Sequence, residues 1–137
     1  MRVLGVDYGA ARVGLALGDT EVGIAGPWRV LPHTDDARLV AALLEIVKRE
    51  DIQLVVVGIP YPLADQTRET AQALSIRRFV NCLEAAELRV CEENETWSSS
   101  LAAKQGREAG IHGKRDDLAA ANILQGFLDR RSHALSS

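Results

Sequence analysis

The apolar and polar positions change rhythm along the chain. Val3, Leu4 and Val6 open an apolar stretch that turns at Gly9-Ala10-Ala11 and resumes as Arg12-Val13-Gly14-Leu15-Ala16-Leu17. This is the pattern of two strands joined by a tight connection. A third strand is expected within residues 22–31, interrupted by Pro27. The break Pro32-His33-Thr34-Asp35-Asp36 then offers an N-cap. Leu39, Val40, Leu43, Leu44 and Val47 recur at helical spacing, so the pattern predicts an amphipathic helix over 37–50. Leu54-Val55-Val56-Val57 is a short continuous apolar run ended by Gly58 and Pro60, which suits a strand covered on both faces. A helix over 67–86, a strand over 88–92, a helix over 99–108, a Gly-rich loop and a last helix over 116–131 complete the expectation. The order predicts a mixed α/β fold, an antiparallel three-strand meander extended by parallel strands through right-handed crossovers.

The 137 residues, 47% of them hydrophobic, suffice for a single domain, expected over 1–131 with a flexible tail over 132–137. No stretch approaches the roughly 20 apolar residues of a membrane helix, and no leader pattern opens the chain, so a cytoplasmic protein is expected. Cys82 and Cys91 lack C-x-x-C spacing and read as small buried hydrophobes. A net charge of −3 leaves no overall basic footprint for nucleic acid. An acidic site that recruits cations would contribute to that balance, with local basic groups still free to neutralise phosphates.

Three carboxylates interrupt the pattern. Strand alternation puts Asp7 on one face with Val3 and Gly5, near the strand end, and Gly5 and Gly9 keep side-chain bulk away from it. The alternative is an Asp that merely starts a turn. Glu95 leaves the late strand, which is expected to lie beside the first one, in the crevice where open α/β sheets place ligands. Glu92 and Glu93, nearby, read as charges favouring the positive end of the next helix. Asp116 opens the last helix in line with Ala120, Ile123 and Phe127, whereas Asp117 points further round; complementing the helix dipole is its simpler role. Brought together, Asp7, Glu95 and Asp116 would repel one another unless a cation neutralised them. Oxygen ligands without His or Cys suit Mg²⁺ or Mn²⁺, and two such ions serve phosphodiester hydrolysis.

These residues resemble the YqgF/RuvX family, the pre-16S rRNA nucleases and Holliday-junction-resolvase-like proteins of the ribonuclease H-like superfamily. The resemblance spans residues 3 to about 129. Val6-Asp7-Tyr8-Gly9 with Arg12-Val13-Gly14-Leu15-Ala16 is similar to the family's opening hairpin. Val56-Val57-Gly58-Ile59-Pro60 is similar to its central strand and loop, and Asp116 with Ala119-Ala120 and Ile123-Leu124-Gln125 to its last helix. The resemblance carries the family's acidic residues onto Asp7, Glu95 and Asp116. It departs where the family commonly shows Asp-Glu-Arg and this chain has Asn94-Glu95-Thr96, which removes one outer acceptor and one phosphate fork. After Pro60 the chain reads Tyr61-Pro62-Leu63-Ala64-Asp65 in place of a Gly-containing polar loop.

The resemblance implies a ribonuclease H-like domain with a five-stranded sheet and a metal-dependent nuclease maturing the 5′ end of ribosomal RNA. Resolution of branched DNA junctions is the competing role, and a nucleic-acid-binding module without catalysis a third. Sugar-kinase and actin-like phosphotransferases also begin with a strand carrying Asp between glycines, but they need a second lobe. Arg12, Lys114 and Arg115 are the foremost candidates for phosphate contact, with Lys104 and Arg107 more remote. His112 could relay a proton, and Trp97 could stack on a base or pack. Tyr8 reads as structural. Symmetric cutting of two strands would call for a homodimer.

Overall fold

The computed structural model describes residues 1–59, 71–94 and 116–136. Strands β1 (Arg2–Tyr8), β2 (Arg12–Asp19) and β3 (Ala25–Pro32) precede helix α1 (Asp36–Arg49). Strand β4 (Leu54–Ile59), helix α2 (Ala71–Ala85), strand β5 (Val90–Asn94) and helix α3 (Asp116–Ser136) follow. The helix expected over 99–108 lies outside the described residues.

The five strands form one sheet in the order β3-β2-β1-β4-β5. β1, β2 and β3 are the expected antiparallel meander, while β4 pairs parallel to β1 and β5 parallel to β4. One expectation needs correcting: β5 does not lie beside β1, because β4 stands between them. The uninterrupted apolar run of β4, with Val55, Val56 and Val57 all buried, matches that central place. Pro27 does not break β3 either. It sits opposite Ala16 in an edge strand, where the register shifts between Leu15 and Ala16 and Trp28 becomes the extra residue. A residue without a backbone donor is tolerated at such an edge and bulge.

Period-two alternation divides the sheet between two cores. Leu4, Val6, Val13, Leu15, Val55, Val57 and Ile59 face α1 and α2, whose Leu39, Leu43, Ile46, Ile76, Phe79 and Leu83 are buried against them. Val3, Ala16 and Val56 face α3 through Ala120, Ile123, Leu124 and Leu128. Asp35 caps α1, accepting a hydrogen bond from the Arg38 amide at 2.8 Å. α1 and α2 end alike. Ile52 N–H donates to the Val47 carbonyl (2.9 Å) and Leu88 N–H to the Leu83 carbonyl (3.1 Å), each across a left-handed residue, Asp51 (φ 55°) or Glu87 (φ 68°).

Cys82 is a third correction. Both cysteines are free thiols; Cys91 is half-buried and packs against the α3-side core, but Cys82 is exposed. Cys82 falls outside the α2 stripe formed by Ala73, Ile76, Phe79, Val80 and Leu83, so the helix turns it to solvent. Among the described residues no helix is long and apolar enough to cross a membrane.

Candidate active site

The site begins with how closely α3 approaches the sheet. A side chain on Gly14 of β2 would collide with the Asp116 carbonyl, and one on Gly5 of β1 would stand 2.8 Å from Leu124 Cβ and 2.9 Å from the Ala120 carbonyl. The glycines of the sequence motif therefore serve a packing need. They admit the helix backbone itself and seat its first turn against the end of β1.

Asp7 is paired with Gly14 across the β1–β2 ladder and shares the α3 face with Val3 and Gly5. Its carboxyl is pushed up to about 6, first by burial and then by the charge of Asp116. Burial also raises Asp116, and Asp117 adds to the effect, while the Arg12 guanidinium opposes it. Arg12 opens β2 on the same face, and its Nε stands 3.1 Å from Asp116 Oδ2. That oxygen is buried, and the ion pair does not reach hydrogen-bond geometry, so it has no hydrogen-bond partner among the described residues. The structure thus brings Asp7, Asp116 and Arg12 together. Asp117 is turned aside, its Oδ1 accepting from the Leu118 amide at 3.0 Å.

Other sequence candidates fall elsewhere. β5 ends at Asn94, one residue before Glu95. Glu95, Trp97, Lys104, Arg107, His112, Lys114 and Arg115 lie outside the described residues. Among the described residues no three acidic, His or Cys side chains group to hold a metal. Asp7 and Asp116 are a pair of oxygen donors that, among the described residues, have one guanidinium, Arg12 on Asp116 Oδ2, set against two carboxyls. That donor chemistry fits a hard divalent cation.

Glu93 has a partner that sequence reasoning did not name. It is 8% exposed, faces α3 and pairs with Arg130, while the helix expected over 99–108 lies outside the described residues. Its partner across the β4–β5 ladder is Gly58. A Cβ on Gly126 would stand 4.0 Å from Glu93 Oε1, an ordinary contact, so the pair does not depend on a glycine there. Strand alternation with the expected α3 face, together with an arginine on that helix, was the available signal. Tyr8 is structural, as expected. Its ring packs on Phe79 (centroids 4.6 Å apart) and its hydroxyl donates to Asp36 Oδ1 at 2.7 Å. Burial and that carboxylate raise its pKa above the ordinary range.

The same arrangement of strands and helices recurs in solved structures. Thermus thermophilus RuvC in complex with a Holliday junction substrate superposes with a TM-score of 0.63 at 18% identity, covering 96% of each chain. The likeness establishes a common, ribonuclease H-like fold. Sequence relatives are nearer. A Chloroflexus aggregans protein named "Putative pre-16S rRNA nuclease" is 33% identical over 135 residues, covering 94% of each chain. A protein of the same name from Nitratidesulfovibrio vulgaris is 37% identical over 135 residues, again covering 94% of each. Residues 1–130 match the model of RuvX, described as a Holliday junction resolvase, and the chain belongs to that family.

Proposed function

We propose that this chain is a divalent-metal-dependent nuclease that hydrolyses phosphodiester bonds, with the 5′ end of pre-16S rRNA as its substrate. The observation that carries the reading is the meeting of Asp7 and Asp116 at the end of a central strand, both with raised carboxyl pKa. Two acids so held gain from a cation between them. Asp7 and Asp116, with Glu95 as a further ligand, would hold Mg²⁺ or Mn²⁺. When bound, such ions supply an activated water and stabilise the leaving oxygen.

The chain's own residues do the rest. β1 and the first turn of α3 hold the two carboxylates in place before substrate arrives, which lowers the reorganisation needed at the reacting phosphate. Arg12 neutralises part of the Asp116 charge, and its half-exposed side chain can turn to a phosphate. Lys114 and Arg115, just before α3, are assigned to neighbouring phosphates. Names of relatives at 32–37% identity support the RNA substrate. A junction-resolving activity is the second reading, supported by the family model's description and requiring two copies of the chain for paired cuts.

The test is a cleavage assay with Mg²⁺ or Mn²⁺ on pre-16S rRNA fragments and on four-way DNA junctions. Wild type should cut the RNA at its 5′ flank, and both Asp7→Asn and EDTA should reduce the product to background. Cleavage that survives both would reject the metal mechanism. Preferential cutting of the junction would favour the second reading, and binding without cleavage on every substrate would identify a non-catalytic module.

A further inference from the structure

His33, in the connection from β3 to α1, is held on three sides. Its Nδ1 lies 2.6 Å from the Gly9 carbonyl oxygen and its Nε2 2.9 Å from Asp36 Oδ1. Its backbone N–H donates to the Ala11 carbonyl at 3.0 Å. The side chain is 9% exposed and stands edge-on to the Tyr8 ring, with centroids 4.8 Å apart. A carbonyl oxygen only accepts, so Nδ1 must donate to Gly9. Asp36 Oδ1 already accepts from Tyr8, and as a carboxylate it too offers only lone pairs.

The two carbonyls belong to the first and last residues of the β1–β2 turn. Asp7 lies two residues before that turn begins, and Arg12 follows it directly. Gly9 itself has no room for a side chain, because a Cβ there would strike the Arg12 carbonyl. A tight turn so placed sets where both flanking side chains stand. We propose that His33 is a positioning residue, fastening this turn to the head of α1 so that Asp7 and Arg12 keep their places relative to Asp116. Its catalytic consequence rests on the nuclease reading; its effect on the turn does not.

His33→Asn places an amide nitrogen close to the position of Nδ1 and retains a donor for Gly9. His33→Gln extends instead toward the position of Nε2 and gives up the Gly9 bond. Backbone amide spectra and Mg²⁺-dependent cleavage of the pre-16S fragment are compared at temperatures where circular dichroism shows all three proteins folded. In His33→Gln the amide signals from Asp7 to Arg12 should move and kcat should fall roughly 10–100-fold with KM little changed. His33→Asn should restore both toward wild type. Equal losses in the two variants, or unmoved turn signals in His33→Gln, would overturn the assignment. Displaced turn signals in a protein whose wild type cuts nothing would uphold the positioning role while the nuclease reading fails.

Discussion

Asp7 shows what a buried carboxyl costs the fold around it. The folded state holds a proton on this carboxyl up to about pH 6, whereas the ordinary value is 3.8. Stability is therefore undiminished by Asp7 below about pH 4, declines as pH rises from 4 to 6, and is lower above that range. At about 1.4 kcal/mol per pKa unit, the charged group costs about 2–3 kcal/mol at pH 7. Asp7→Asn should accordingly raise stability toward urea at pH 7 by about 1–3 kcal/mol, and the gap should close by pH 4. A variant no more stable at pH 7 than at pH 4, relative to wild type, would show that the carboxyl is not desolvated as the fold implies. Added Mg²⁺ should narrow the gap from the other side, by stabilising wild type through mass action.

At the scale of elements, the two helix ends on the α1–α2 side depart from the residue type their geometry favours. Asp51 and Glu87 occupy left-handed positions that glycine fills without steric cost, and both put a negative charge at the negative end of a helix. Asp51→Gly and Glu87→Gly should each stabilise the protein by about 1 kcal/mol, and additively, as read from denaturant midpoints at unchanged slope. The elements themselves were legible where one periodicity ruled. The α1 stripe, the alternation in β1 and β2 and the buried run of β4 all follow from counting positions. Pro27 misled because a proline ends a central strand but not an edge strand with a bulge, and the edge is defined only once the neighbours are known. Cys82 misled because the thiol's usual preference for burial yields to the helix phase set by Phe79 and Leu83.

For the whole molecule, strand order decides which charges meet. Asp7 and Asp116 could be paired from sequence because a strand face and a helix face each have a local period. The insertion of β4 between β1 and β5 could not, since pairing of distant strands has no local signature. It also separates Glu93 from Asp7 on the same sheet face and gives Glu93 a different partner in Arg130, on the helix that also begins with Asp116. Removing the arginine would leave a buried acid without its cation. Arg130→Ala should therefore cost about 1–3 kcal/mol, allowing for the exposure of the arginine, and more than Glu93→Gln. Urea unfolding of both single variants and the double checks this, and a double variant no worse than Arg130→Ala alone would show that the two act as one unit.

The seat that glycine provides at position 14 ties α3 to the β1–β2 hairpin, so elements more than 80 residues apart in sequence bring the two acids together. During synthesis the hairpin leaves the ribosome first and waits with an uncovered, glycine-lined surface until the C-terminal segment emerges. A chain interrupted before α3 would possess the first aspartate and its sheet yet be unable to assemble the acidic pair. If these acids cut RNA, the cutting pair does not exist before α3 has emerged and docked.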